Sequence, residues 1–208
     1  MVKMTDLNTI DKPNWCPGCG DFGILVALKS AIIELNIEPE NVAVISGIGC
    51  SGKVPHWIRT YGLHGIHGRA LPVAAATKLC NHELTVFAVG GDGDGYGIGM
   101  CHFIHAMRRN INMTYIVHNN MIYGLTTGQT SPTSEKGMRT KSTPSGVIEV
   151  PVNPIALALS SGATYVVRSF VGDVKHLQKT IVDAVKHRIE YFFTWILFLL
   201  CVILIGEN

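Results

Sequence analysis

Leu84-Thr85-Val86-Phe87-Ala88-Val89-Gly90-Gly91-Asp92-Gly93-Asp94-Gly95 is the stretch on which the fold turns. Its first six residues are apolar or β-branched, too short a run for a helix and suited to a strand buried on both faces. The strand runs without a break into a glycine-aspartate loop. A helix is expected over 99–109, then another buried strand over 113–118, which ends on Asn119-Asn120.

The same alternation extends in both directions. Residues 21–35 carry Ile24, Leu25, Leu28, Ile32 and Leu35 at helical spacing, with Pro39 beyond their end. Residues 41–48 form a β-branched run closed by Gly47 and Gly49, and 72–81 read as a helix. The glycine- and histidine-rich segment 49–69 fits neither period, and a long loop inside a compact domain is usually functional. Loop signals return over 119–144, a fourth strand is expected at 163–168, and a helix at 173–187. That last helix places Val174, Leu177, Ile181, Ala184 and Val185 on one face, with Asp173 near its N-cap. Strands alternating with helices imply an α/β fold, a mostly parallel sheet with helices on both faces. Ligands of such sheets bind at the carboxyl ends of the strands. No repeat or low-complexity linker divides residues 1–208, so a single domain is expected.

Composition agrees. Of 208 residues, 47% are apolar and 15% charged, as suits a buried sheet or a large subunit interface. A net charge of +2, without basic runs or interleaved aromatic platforms, argues against nucleic acid. Residues 1–13 are polar and do not read as a secretory signal, so a cytoplasmic, reducing compartment is expected. Residues 191–205 carry no charge, but the run is shorter than the ~20 residues a spanning helix needs. A buried strand or a distorted terminus is expected there, not a membrane anchor.

Two strand ends in this pattern carry chemistry. Asp92 sits in Gly91-Asp92-Gly93, and Asn120 follows 28 positions later at the end of the next strand. Neighbouring strand ends can bring a carboxylate and an amide oxygen onto one cation. Magnesium takes such hard oxygens and often shares them with phosphate. Glycines let backbone amides approach an anion, and a following helix N-terminus favours its charge. The plain alternative is a glycine-rich turn followed by an unrelated Asn-Asn turn.

Six cysteines are present. Cys16 and Cys19 stand one tight turn apart in Trp15-Cys16-Pro17-Gly18-Cys19-Gly20, and Cys50 lies in Gly47-Ile48-Gly49-Cys50-Ser51-Gly52. Thiolates at this spacing bind zinc or an iron–sulfur cluster, each normally with four ligands. A thioredoxin-like dithiol is the third reading, but no strand is expected before Trp15. Cys80 and Cys101 fall in expected helices and read by default as buried structural cysteines.

Taken in order, WCPGCGDFGIL, GIGCSGKVPHWI, HGIHGRALPVA, GGDGDGYGIG and VHNN followed by YGLTTGQTSPT resemble the β subunits of 2-oxoacid:ferredoxin oxidoreductases, over roughly residues 14–187. The resemblance implies a thiamine-diphosphate-binding fold and three cofactors: thiamine diphosphate, Mg2+ and a [4Fe–4S] cluster. It assigns magnesium to Asp92, Asn120 and the carbonyl of Ile122. Ile48, Gly49, Cys50, Ser51, His67, Gly93, Asp94, Gly124 and Leu125 would contact thiamine diphosphate. Cys16, Cys19 and Cys50 would hold the cluster, with Cys201 as fourth ligand in surroundings more apolar than the family's. Lys53 would lie near the substrate carboxylate or the cofactor, and His67 with it at the reacting centre. Thr127 stands where many relatives have lysine. The family's β subunits usually continue past this point, so the resemblance implies an atypical or shortened C-terminus over about 189–208.

The activity implied is coenzyme A-dependent oxidative decarboxylation of a 2-oxoacid, pyruvate or 2-oxoglutarate, to acyl-CoA and carbon dioxide, with electrons passed to ferredoxin. No glutamate stands in an obvious motif to protonate the aminopyrimidine, so an α subunit is expected to supply it in a heterodimer or larger assembly. A non-oxidative thiamine-diphosphate enzyme would need Asp92 and Asn120 but not the cysteines. A catalytically impaired assembly subunit would explain the altered C-terminus.

Overall fold

The computed structural model describes residues 1–187 together with the backbone of 197–203. The helix expected at 21–35 is α1, Asp21–Glu34. It is followed by β1, Val42–Ser46, buried throughout. A 3₁₀ turn, Ser51–His56, leads into β2, Tyr61–His64, and then α2, Ala70–Cys80. The decisive stretch folds as β3, Thr85–Gly91, followed by a π-helical turn, Asp94–Ile98, and α3, Met100–Arg109. β4, Met113–Asn119, is buried throughout, and a two-residue ladder joins β5, Ile122–Tyr123, to β6, Gln129–Thr130. The rest comprises α4, Pro154–Ser160, β7, Tyr165–Phe170, α5, Val174–Lys186, and β8, Leu197–Ile203.

Among the described residues six strands form one parallel sheet in the order β2-β1-β3-β4-β8-β7. Successive residues of a strand point to opposite faces, and the core divides accordingly. Val42, Val44, Phe87, Val89 and Ile116 pack with residues of α1 and α5. Ala43, Ile45, Val86, Ala88, Tyr115 and Val117 pack with residues of α2 and α3. A sheet covered on both faces is therefore observed as expected. Phe87 is fully buried at the centre of β3. Phe87→Ala is expected to cost about 3–5 kcal/mol of stability, measurable by urea unfolding.

Several expectations need correction. Segment 49–69 is not wholly irregular: β2 pairs with β1 in parallel. All four β2 residues are exposed, so no burial pattern marks the strand. Helix α4 was not anticipated, although the Asn153 side chain caps it by accepting from Ala156 N and Pro154 opens it. Cys80 and Cys101 are exposed rather than buried. Helix geometry explains both: Cys80 lies two positions from buried Lys78, and Cys101 two from buried Phe103. Two positions turn a helix by about 200°, which puts each cysteine on the outer face. Asp173 caps α5 as expected, accepting from His176 N at 2.9 Å.

The uncharged C-terminal run contributes β8, whose backbone lies between β4 and β7, with Cys201 opposite Val117 and Arg168. The Cys201 side chain lies outside the described residues, as do 188–196 and 204–208. No helix among the described residues is long and apolar enough to cross a membrane.

Candidate cofactor site at the strand ends

Three loops meet at the carboxyl ends of β1, β3 and β4, as the parallel sheet requires. One pocket there is lined by Ile48, Gly49, Cys50 and Ser51 after β1, Asp92, Gly93 and Asp94 after β3, and Asn120, Ile122, Gly124 and Leu125 after β4. Cys19, Asp21, His118 and Tyr123 complete much of its wall.

Asp92 is 2% exposed. Its Oδ2 accepts from the Ser131 hydroxyl and, at 2.6 Å, from the Thr133 hydroxyl. Burial pushes this carboxyl up from its ordinary range, while the two hydroxyls and nearby amides pull it down. No ion pair among the described residues involves Asp92. A buried carboxylate without a protein cation suits a metal ligand, because buried charge must be paired or coordinated.

The two asparagines differ. Asn119 is buried; its Oδ1 accepts from Met121 N at 3.1 Å and lies 2.9 Å from the Thr133 hydroxyl. Asn120 is exposed toward the pocket, and its Oδ1 accepts from Ile122 N at 3.1 Å. Between them and Ile122 the chain reverses through Met121 at φ +59°. Asn119 thus fixes the turn that presents Asn120.

Asp94 lines the pocket, and one oxygen of its carboxylate is committed to the protein. Oδ1 accepts from Ile48 N at 2.9 Å and Gly68 N at 2.8 Å, with His67 Nδ1 at 3.1 Å. A Cβ on Gly47 would overlap this carboxylate. Asp94 therefore ties together the loops after β1, β2 and β3. Burial raises its pKa, opposed by the Ile48 and Gly68 amides and by His67.

On the other wall, Cys19 N donates to Cys16 O at 3.0 Å, so the two thiols stand one tight turn apart at the start of α1. Trp15 Nε1 donates to Cys50 O at 2.8 Å and pins the third cysteine loop beside the first. Cys16, Cys19 and Cys50 are free thiols. Gly49 holds φ +115°, with open space where a side chain would stand. Burial, with the Asp21 carboxylate adding to it, pushes the Cys19 thiol up to about 11; the Asp21 amide opposes. Burial also raises Cys50, and Lys53 opposes.

Lys53 and His67 do not line this pocket. Lys53 Nζ reaches Asn14 Oδ1 at 3.2 Å, and His67 sits by Asp94 with its ring 6.1 Å from that of Tyr123. Thr127 is exposed at φ +76°. Sequence reasoning missed Ser131, Thr133, Tyr123, Asp21 and His118. Tyr123 donates to Gly93 O at 3.0 Å and occupies the space that a Cβ on Gly93 would need, which is why glycine is required there.

Residues 47–193, which begin at the β1 loop and include both metal-type strand ends, match the model of the thiamine pyrophosphate enzyme C-terminal TPP binding domain. The chain belongs to this family. Among curated relatives it is 55% identical over 177 residues to the 2-oxoacid:ferredoxin oxidoreductase subunit beta of Saccharolobus solfataricus, covering 84% of this chain and 58% of the relative. It is 48% identical over 186 residues to the 2-oxoglutarate oxidoreductase subunit KorB of Mycobacterium tuberculosis, covering 89% of this chain and 50% of that one. The fold matches the 2-oxoglutarate:ferredoxin oxidoreductase of Magnetococcus marinus, solved with 2-oxoglutarate, coenzyme A and succinyl-CoA bound. That match has a TM-score of 0.92 and 42% identity, over 97% of this chain and 67% of the other. The chain thus spans between half and two thirds of these relatives.

Proposed function

We propose that this chain is the thiamine-diphosphate-binding β subunit of a 2-oxoacid:ferredoxin oxidoreductase, forming acyl-CoA and carbon dioxide from a 2-oxoacid such as pyruvate or 2-oxoglutarate. One observation carries the reading: a single pocket is lined both by the Asp92/Asn120 strand ends and by Cys19 and Cys50. A non-oxidative thiamine enzyme has no use for the second wall.

The donor set fits magnesium. Asp92 offers a carboxylate oxygen not taken by Ser131 or Thr133, Asn120 an amide oxygen and Ile122 its carbonyl, all hard ligands. The amides and small residues of Gly93, Gly124 and Leu125, with Ile48 to Ser51 opposite, would hold the diphosphate and the thiamine body. The buried Ser51 hydroxyl, which has no partner among the described residues, is an available donor there. The cysteines on the second wall suit a thiolate-held cluster. A [4Fe–4S] cluster spreads its thiolates around a larger body. Cys16, Cys19 and Cys50 supply three ligands, and we assign the fourth to Cys201.

When bound, thiamine diphosphate supplies the carbon nucleophile and electron sink, and the cluster a one-electron route to ferredoxin. The chain's own residues orient and desolvate. Asp94 fixes the loops on which Ile48 and His67 stand. Lys53, two residues beyond the wall residue Ser51, is assigned the 2-oxoacid carboxylate, for which it would leave Asn14 Oδ1 and swing toward the pocket.

No glutamate lines the pocket among the described residues, so the acid at the aminopyrimidine is assigned to an α subunit. Exposed Tyr61, Leu63, Ile66 and Ile98, grouped on and after the edge strand β2 and before α3, support such an interface. The chain alone is expected to oxidise no 2-oxoacid under anaerobic assay with coenzyme A and ferredoxin, and to do so once the α subunit is added. Full activity of the isolated chain would contradict the assignment.

A further inference from the structure

Asp21 and His118 lie 97 positions apart, and the fold brings them together. Asp21 opens α1 immediately after the Cys16–Cys19 loop. His118 is the β4 residue before Asn119-Asn120 and pairs with Gly91 on β3. His118 Nδ1 stands 2.6 Å from Asp21 Oδ1, and both side chains are 3% exposed. Both residues line the pocket between its two walls. Asp21 stands two positions after Cys19, and both line the same pocket. After burial, the Asp21 carboxylate helps raise the Cys19 thiol, so its negative charge is felt at that sulfur.

We propose that Asp21, held by His118, sets the reduction potential of the cluster bound at Cys19. This rests on the iron–sulfur reading above and goes beyond it. Reduction adds one negative charge to a cluster, and a fixed carboxylate beside a ligand sulfur disfavours that charge. Cluster potentials respond to net charge and to hydrogen bonds at the sulfurs, and groups behind the ligands tune a metal site. The His118 N–H keeps the carboxylate beside Cys19 instead of leaving a buried charge unpaired. The plain alternative is a strut joining α1 to β4. A strut would affect stability but leave the potential where it was.

The test is a potentiometric titration of the cluster, followed by electron paramagnetic resonance, in the complex with the α subunit. Asp21→Asn is nearly isosteric and removes the charge. It is expected to favour reduction about tenfold, a rise of about 59 mV for one electron. Asp21→Ser removes the same charge with a smaller side chain and is the second reading should the first variant not fold. His118→Gln keeps a donor toward Asp21 and is expected to stay near the wild-type potential. Asp21 variants that melt like wild type and show an unchanged potential, or that fold without retaining iron, overturn the proposal. Wild-type protein lacking iron and sulfide would overturn the iron–sulfur reading as well, whereas an iron-loaded wild type with unshifted variants overturns this inference alone.

Discussion

Asp92→Asn is expected to abolish magnesium-dependent binding of thiamine diphosphate, weakening it by at least about a hundredfold, or ~2.7 kcal/mol. Ser131 and Thr133 occupy one oxygen of this carboxylate, so the other is the one available to a cation. An amide could still accept from the two hydroxyls, and the local fold should persist. It cannot supply the charge that draws magnesium out of water into a buried site. The effect on stability should run the other way. Without ligand, a buried carboxylate lacking a cation is a burden on the fold, so the variant should melt at or above the wild-type temperature. Wild type should gain stability on addition of magnesium and thiamine diphosphate, as any ligand of the folded state confers, and the variant should not. Calorimetric titration and a thermal melt with and without the ligands measure both. Undiminished binding by Asp92→Asn would remove Asp92 from the metal site.

The legible and hidden parts of this site differ in a simple physical way. Asp92 and Asn120 could be read because each ends a strand whose apolar run is visible, and a parallel sheet gathers such ends. Cys16, Cys19 and Cys50 could be read because their spacing is local. Ser131 and Thr133 could not: their reach to Asp92 crosses a turn and the β5–β6 ladder, which no periodicity marks. The Asp21–His118 pair depends on how α1 packs over β4, a tertiary relation. Asp94 carries a role that its motif does not announce. Its place beside Gly93 makes it a natural neighbour of the diphosphate, and one oxygen of its carboxylate also accepts from the Ile48 and Gly68 amides. Gly47 and Gly90 in part make room for that carboxylate. For the fold, β1, β3, β4, β7 and the helices α1, α2, α3 and α5 carried their own patterns. β2 carried none, because an exposed edge strand of Tyr61-Gly62-Leu63-His64 has neither a buried run nor alternation.

Cys19→Ser and Cys50→Ser are each expected to remove the cluster, leaving ferredoxin reduction undetectable while thiamine diphosphate still binds. Four thiolates normally hold a cubane cluster, and both residues face the pocket with no alternative thiol on its wall among the described residues. Cys80→Ser and Cys101→Ser should leave iron content unchanged, since both lie on outer helix faces. Chemical labelling gives an independent check. With its pKa near 11, Cys19 in iron-free protein should present about 10⁻³ of its molecules as thiolate at pH 8, and only the thiolate reacts. Iodoacetamide should therefore reach Cys80 and Cys101 well before Cys19. Loading iron and sulfide must displace the thiol protons, as metal binding at cysteine always does, and should then shield Cys16, Cys19 and Cys50 together. Cys201→Ser decides the fourth ligand. Loss of iron in that variant, with wild-type melting, supports Cys201 as the cluster's fourth ligand. Iron retained in Cys50→Ser, or shielding of Cys80 or Cys101 on loading, would break the assignment of the cysteine wall to a cluster.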